Sequence, residues 1–259
     1  MNILTSDNIK KRLIEKLQSE KTENKILILS KNPSEEVLSY KNAIIKRCEK
    51  FEIAYIDKEF DKEGQEEILS FINSFPEDYG FIILSPFGDE DLSYLKNNIK
   101  LKDLDAFTYK SKGLAMKGDK KYLPATAKAV TLFLEDRFED LTGKNIVLAN
   151  NTEIIGKPLA LYLITKRATL TVINSSTQNR KEIIKKADIF ISAIGKAKYF
   201  DRSYFRENMT LIDVGTSVLD GKIYGDIDYD SLEDMDIDVL TNKKGIGAIT
   251  TLSLLESLL

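Results

Sequence analysis

Apolar positions along this chain follow two rhythms, and their order outlines a fold. Over residues 7–20, Ile9, Leu13, Ile14 and Leu17 recur three and four apart, the stripe of an amphipathic helix that Ser6 or Asp7 can cap. Residues 25–29 form a short apolar run, read as a strand. Ser30-Lys31-Asn32-Pro33-Ser34 is a turn, and Ser34 with Glu35 and Glu36 suits a helix start. That helix carries Val37, Leu38, Tyr40, Ile44, Ile45 and Cys48. Residues 51–56 read as the next strand, and 65–75 as a helix with Ile68, Leu69, Ile72 and Phe75 turned inward. Phe81-Ile82-Ile83-Leu84 is apolar throughout, as in a strand covered on both faces, and ends at Ser85-Pro86-Phe87-Gly88. Strand, helix, strand, helix, strand predicts a small α/β domain with a parallel core.

The middle of the chain is less regular. Residues 102–107 are polar and read as loop, and 109–121 hold Gly113 and Gly118 without a clean period. Pro124-Ala125-Thr126 opens a helix to about residue 137 that can connect two domains. The second half is organised around residues 146–163. Ile146-Val147-Leu148-Ala149 is a strand, Asn150-Asn151-Thr152-Glu153 a polar turn, and a helix begins near Gly156 with Pro158 in its first turn. Such a helix end offers free N–H groups and a positive dipole end to a phosphate. With the strand at 169–173 this makes half of a nucleotide-binding unit. A helix at 180–187, a strand at 188–193 running to Gly195 and a strand at 209–215 ending in Gly215 continue the pattern, and residues past such strand ends commonly line a ligand. Asp220-Gly221 suits a hairpin turn, 238–241 a last strand, and 249–259 a leucine-rich helix that packs back on the first domain. The expected fold is α/β with two domains. A small parallel-sheet domain spans 1–122 and 245–259, and a Rossmann-like domain spans 123–244.

Composition narrows the chemistry. The chain is 42% hydrophobic and 31% charged with a net charge of -3, which gives no support for a nucleic-acid footprint. No apolar stretch reaches transmembrane length, and the first residues lack the layout of a signal peptide, so a cytoplasmic protein is expected. One cysteine, Cys48, precludes an intramolecular disulfide and argues for a buried small apolar residue. The absence of histidine excludes Ser-His-Asp triads and histidine zinc sites, and no metal is expected. Any general acid or base must be Lys, Asp, Glu, Tyr, Cys or bound water.

Several motifs in fixed order carry a family likeness. They are Tyr40 with Cys48-Glu49-Lys50, Gly80-Phe81-Ile82-Ile83 with Pro86, Lys102-Asp103-Leu104-Asp105, Pro124 and Thr126, and Ile154-Ile155-Gly156-Lys157-Pro158. Ala168-Thr169-Leu170-Thr171 with Ser175, Ala187-Asp188-Ile189, Asp213-Val214-Gly215, Asp220-Gly221-Lys222, Gly225-Asp226-Ile227-Asp228, Gly247 and Thr250 follow. Over most of its length the chain resembles the methylenetetrahydrofolate dehydrogenase/methenyltetrahydrofolate cyclohydrolase family. The resemblance implies a tetrahydrofolate cleft between the two domains, NAD or NADP on the second, and a homodimer joined through the face that carries the edge strand. It implies Tyr40 as the catalytic-helix tyrosine, Asp103 or Asp105 as the carboxylate holding the pterin, and Asn150, Thr152, Ile155, Gly156, Lys157, Ser175, Gly195 and Gly215 around the cofactor.

The likeness weakens where the chemistry is done. The family's catalytic Lys, four residues after the Tyr, is matched by Ile44, and its partner Gln by Leu84. Lys41 and Lys46 sit at other angles around the helix. A two-residue insertion near Pro33 would bring Asn42 or Lys41 closer without restoring the motif. Ala106-Phe107-Thr108-Tyr109 replaces Gly-Phe-His-Pro, Pro124-Ala125-Thr126-Ala127 replaces Pro-Cys-Thr-Pro, and the loop with Lys243 and Lys244 is a shortened Pro- and Gly-rich loop. Asn150-Asn151-Thr152 replaces Gly-Arg-Ser, and Ser176 stands at a second basic position. Without those basic groups for a 2'-phosphate, NAD is favoured. Three functions are compatible with this pattern: a divergent folate dehydrogenase/cyclohydrolase, a related enzyme acting on another small substrate, and a catalytically inactive homologue that binds a ligand or protein partner.

Overall fold

The computed structural model describes residues 1–219, 222–242 and 245–259. The first half of the chain runs β1 (Asn2–Leu4), α1 (Asp7–Ser19), β2 (Lys25–Lys31), α2 (Glu35–Lys50), β3 (Tyr55–Phe60), α3 (Gln65–Asn73), β4 (Tyr79–Ile83), α4 (Ser93–Asn98), β5 (Lys102–Asp103) and α5 (Tyr109–Ala115). It continues with α6 (Ala125–Arg137), β6 (Asn145–Ala149), α7 (Gly156–Thr165), β7 (Thr169–Ile173), α8 (Arg180–Lys185), β8 (Ile189–Ser192), β9 (Thr210–Asp213), β10 (Ser217–Leu219), β11 (Lys222–Tyr224), β12 (Asp238–Leu240) and α9 (Ile246–Glu256). Among the described residues no helix is long and apolar enough to cross a membrane.

Two parallel sheets result. The smaller has the order β3-β2-β4-β5, and the larger β1-β12-β9-β8-β6-β7. This is the expected pairing of a small α/β sheet with a Rossmann-like one. The strand at residues 2–4 departs from the expected division, because it pairs in register with β12 of the larger sheet. Three residues with two apolar side chains gave no periodic signal. One apolar cluster joins the sheets. It takes Ile26, Ile28 and Ile82 from the smaller sheet, Ile146, Leu148, Ile191 and Ile212 from the larger, and α1, α2, α6, α7 and α9 between them. The last helix returns as expected and starts at Ile246, three residues early. Ile249, Leu252, Leu254 and Leu255 are fully buried.

Other departures have local causes. The strand expected at 51–56 lies at Tyr55–Phe60, because α2 continues through Lys50 and the chain turns at Glu52 with φ 56°. β3 is an edge strand of alternating exposure, so its sequence is mostly polar. The stretch without clean period holds α5, whose Thr108 hydroxyl caps it by accepting from the Ser111 N–H at 3.1 Å. A helix this short cannot display an apolar repeat. The Asp220-Gly221 turn and the lysines Lys243 and Lys244 lie outside the described residues, although Leu219 and Lys222 pair across β10 and β11.

Candidate functional site

The carboxyl ends of the smaller sheet and the start of α6 meet beside α2. Tyr40, half-buried on α2, packs against the joined core, and burial and the nearby Asp105 carboxylate push its phenol above its ordinary value. The structure thus brings Tyr40 and Asp105 together. Asp105 Oδ1 accepts the Ala125 N–H at 2.6 Å. Burial pushes the Asp105 carboxyl up to about 7, against that hydrogen bond and helped by the charge of Asp103. Asp103 is differently employed. Its oxygens accept from the N–H groups of Asp105, Phe107 and Thr108 and from the Thr108 hydroxyl, at 2.8–3.2 Å. That carboxylate holds the turn into α5, while the Asp105 charge acts on Tyr40.

Ile44 and Leu84 are fully buried in the same apolar cluster. Lys41, on the same helix, is engaged elsewhere. It is buried toward β3, with its Nζ 3.3 Å from both Asp57 and Glu59. Cys48 is completely buried, and its thiol is pushed up to about 12 by that burial. A cavity of about 300 Å³ lies between α5 and the first turn of α7, lined by Ala106, Tyr109, Pro124, Glu153, Lys157 and Pro158 among others. Glu153 spans it, 2.6 Å from Lys112 Nζ on α5 and 3.8 Å from Lys96 Nζ on α4.

The nucleotide loop is tied together by Asn150, which is nearly buried. Its Oδ1 accepts from Thr152 N–H, Thr152 hydroxyl and Gly156 N–H at 2.8–2.9 Å, and its Nδ2 donates to the Ala193 carbonyl at 2.6 Å. A Cβ on Gly156 would lie 2.1 Å from the Asn150 carbonyl oxygen, so only glycine fits. The expectation of free N–H groups at this helix end is corrected. Gly156 N–H goes to Asn150, Lys157 N–H to the Thr152 carbonyl and Leu159 N–H to the Ile155 carbonyl, while Pro158 has none. Ile155 N–H reaches the Thr152 hydroxyl at 3.3 Å. Lys157 is exposed, 3.9 Å from Glu153. Ser175 is exposed in the turn after β7, a turn closed by hydrogen bonds between Asn174 and Thr177.

The mouths of β8 and β9 are built by two buried carboxylates. Asp226 accepts from Ser192 hydroxyl, Ile194 N–H and Lys196 N–H at 2.6–2.8 Å, and so shapes the loop around Gly195, whose φ is 65°. Asp213 accepts from Asp226 N–H, Ile227 N–H and Tyr229 hydroxyl. Burial pushes its carboxyl up to about 6, opposed by those three donors. A Cβ on Gly215 would meet the Asp226 carboxyl at 2.1 Å. Two residues past Gly215, the Ser217 hydroxyl is buried and has no hydrogen-bond partner among the described residues. Nothing in the linear pattern singles out Ser217, because a lone serine after a strand has no pattern. Asp213 and Asp226 were visible as motif residues, but their shared role appears only when β9 and the segment after β11 come together. A buried orphan hydroxyl beside two forced glycines fits a polar ligand laid across the strand ends. The helix end, already satisfied, contributes no N–H to it.

The chain is similar to known proteins. The family model for the tetrahydrofolate dehydrogenase/cyclohydrolase NAD(P)-binding domain matches residues 124–259. The bifunctional protein FolD of Clostridium beijerinckii is 36% identical over 199 residues, covering 75% of this chain and 71% of the relative. FolD of Clostridium botulinum strain Kyoto is 32% identical over 251 residues, covering 94% and 89%. The crystal structure of the bifunctional methylenetetrahydrofolate dehydrogenase/cyclohydrolase of Campylobacter jejuni superposes with a TM-score of 0.88 at 26% identity, covering 98% of this chain and 94% of that one. By the extent of these matches the chain belongs to the tetrahydrofolate dehydrogenase/cyclohydrolase family.

Proposed function

We propose that this protein works in one-carbon metabolism as an NAD(P)-dependent methylenetetrahydrofolate dehydrogenase in which the family's cyclohydrolase step is weak. The observation that carries this is the site around Tyr40 and Asp105. Asp105 and Tyr40 lie together there, while Ile44 and Leu84 stand in the positions of the family's Lys and Gln and Lys41 is drawn away to Asp57 and Glu59. A bound nicotinamide supplies the hydride acceptor. The chain's own part in oxidation is to orient the folate, which Asp105 on the pterin can do. Hydrolysis of the methenyl ring asks more. It needs a group that moves a proton or steadies developing charge, and isoleucine does neither.

The reading favours NAD over NADP, since Asn150, Asn151, Thr152 and Ser176 offer no cation to a 2'-phosphate. The Ser217 hydroxyl and the strand mouths at Gly195 and Gly215 are the contacts assigned to the cofactor. We assign residues 1–122 with 245–259 to folate and 123–244 to the nucleotide, with β1 lent to the second sheet. A cytoplasmic homodimer completes the reading. Its support is the edge strand β7 with the outer side of α7, where Val172 and Ile164 are 40% and 58% exposed. Light scattering on the purified protein tests the dimer, and a monomer would refute it.

The deciding assay follows NAD- and NADP-dependent oxidation of methylenetetrahydrofolate together with methenyl hydrolysis. Oxidation with NAD and hydrolysis close to the spontaneous rate is the expected result. Hydrolysis as fast as oxidation would overturn the assignment, and absence of both would leave the inactive homologue standing.

A further inference from the structure

Helix α5 is a wall between two cavities. One is the cavity toward the first turn of α7. The other, about 960 Å³, lies on the far side against the chain leading into β5, the segment at 119–122 and the end of α9. The two share no lining residue. The far cavity is rich in lysine although the chain as a whole has a net charge of -3.

Its carboxylates are already committed. Asp103 holds the turn into α5, and Glu256 pairs with Lys16 at 3.0 Å and with buried Lys128 at 2.9 Å. Four other lysines of the wall are poorly compensated. Lys100 and Lys110 enter no ion pair among the described residues, Lys102 Nζ donates to the Leu258 carbonyl at 3.2 Å, and Lys121 is 3.5 Å from exposed Asp119. Lys102 and Lys121 also feel each other. The Lys102 ammonium is held below its ordinary value by burial and by the Lys121 charge.

Like charges gathered in a concavity raise the local concentration of counter-charge. Each contact with an ionised oxygen is stronger than a neutral hydrogen bond. The cavity volume matches a small molecule, not a single ion. We propose that this cavity is a binding site for a small polyanion carrying two or more phosphate or carboxylate groups, held by Lys102 and Lys121 with Lys100 and Lys110 at the rim. Nothing in the proposed folate chemistry requires it, so the two readings stand or fall separately.

Calorimetry on the full chain at physiological ionic strength tests the site with two probes, inorganic tripolyphosphate and a γ-linked triglutamate. Saturable binding of at least one probe is expected, and the stronger probe identifies the phosphate or the carboxylate source. The double substitution Lys102→Gln/Lys121→Gln should weaken it about tenfold with an unchanged melting temperature. The charge-matched control Lys46→Gln/Lys62→Gln, on exposed surface elsewhere, should leave it nearly unchanged. Equal weakening by both double substitutions would mean diffuse attraction and would overturn the site, as would no saturable binding of either probe. If the cavity variant melts early, Lys110→Gln on the exposed rim replaces it, with a threefold loss expected and no loss counting against the proposal.

Discussion

Asp105 gathers the chemistry of the cleft in one side chain. In the unfolded chain its carboxyl titrates at about 3.9, and burial in the fold pushes it up to about 7. A raised carboxyl adds stability that is complete below the unfolded value and is lost as pH rises through the folded one. Between pH about 4 and about 7 the fold should therefore lose on the order of 2 kcal/mol through this group, after allowance for its partial contact with solvent. Asp105→Asn keeps an acceptor for the Ala125 N–H and removes the titration. Urea melts of the two proteins should converge at acid pH and separate above neutrality, with the variant the more stable; parallel profiles would remove Asp105 as the cause. Ile44 invites the opposite experiment. Ile44→Lys puts a charge where the side chain is completely buried, so stability should fall by about 3 kcal/mol or more. If the missing lysine limits hydrolysis, the same variant should raise methenyl hydrolysis at least about tenfold over the parent. A destabilised variant with unchanged hydrolysis would break the link between Ile44 and the weak step.

The loop from β6 into α7 shows what a linear pattern can and cannot reveal. Its apolar run, polar turn and Gly156-Lys157-Pro158 placed strand, loop and helix to within a residue or two, because each carries a local backbone preference. Its ligand chemistry was misjudged, because a helix start announces N–H groups but not who takes them. Asn150 takes Gly156's, and the loop's own carbonyls take the next. The same limit applies to Asp103 and Asp105. Two residues apart in one motif, they are indistinguishable in sequence, yet one is consumed by a turn and the other faces Tyr40. Short α4 and α5 lack the length for an apolar repeat, and polar edge strand β3 begins four residues beyond its expected start because its alternation is mostly polar. Asn150→Ala should leave Gly156 N–H and the Ala193 carbonyl without partners and cost about 1–3 kcal/mol. It should also free the helix end, so binding of NAD measured by calorimetry should fall less than stability does, or rise. A large loss of NAD affinity at unchanged stability would instead make Asn150 a direct cofactor contact.

At the scale of the molecule, the two sheets are bound into one folding unit by elements that cross between them. β1 adds to the larger sheet while α1, which follows it, packs with α9 over the smaller. α9 lies between both, and its contact with α6 is pinned by Lys128, whose Nζ reaches the Ser253 carbonyl at 3.0 Å and Glu256 at 2.9 Å. A single apolar cluster therefore runs from Ile28 through Leu252 to Leu148. Domains that meet across a thin polar interface unfold separately; a shared core of this kind couples them. Leu255→Ala deletes a fully buried side chain from the middle of that cluster and should cost about 2–5 kcal/mol. The chain has no tryptophan, so tyrosine fluorescence and far-ultraviolet circular dichroism are the probes. Both should report one coincident transition in the parent and one earlier, still coincident transition in the variant. If Leu255→Ala splits unfolding into two steps, the sheets hold independent cores, and α9 belongs to the smaller alone.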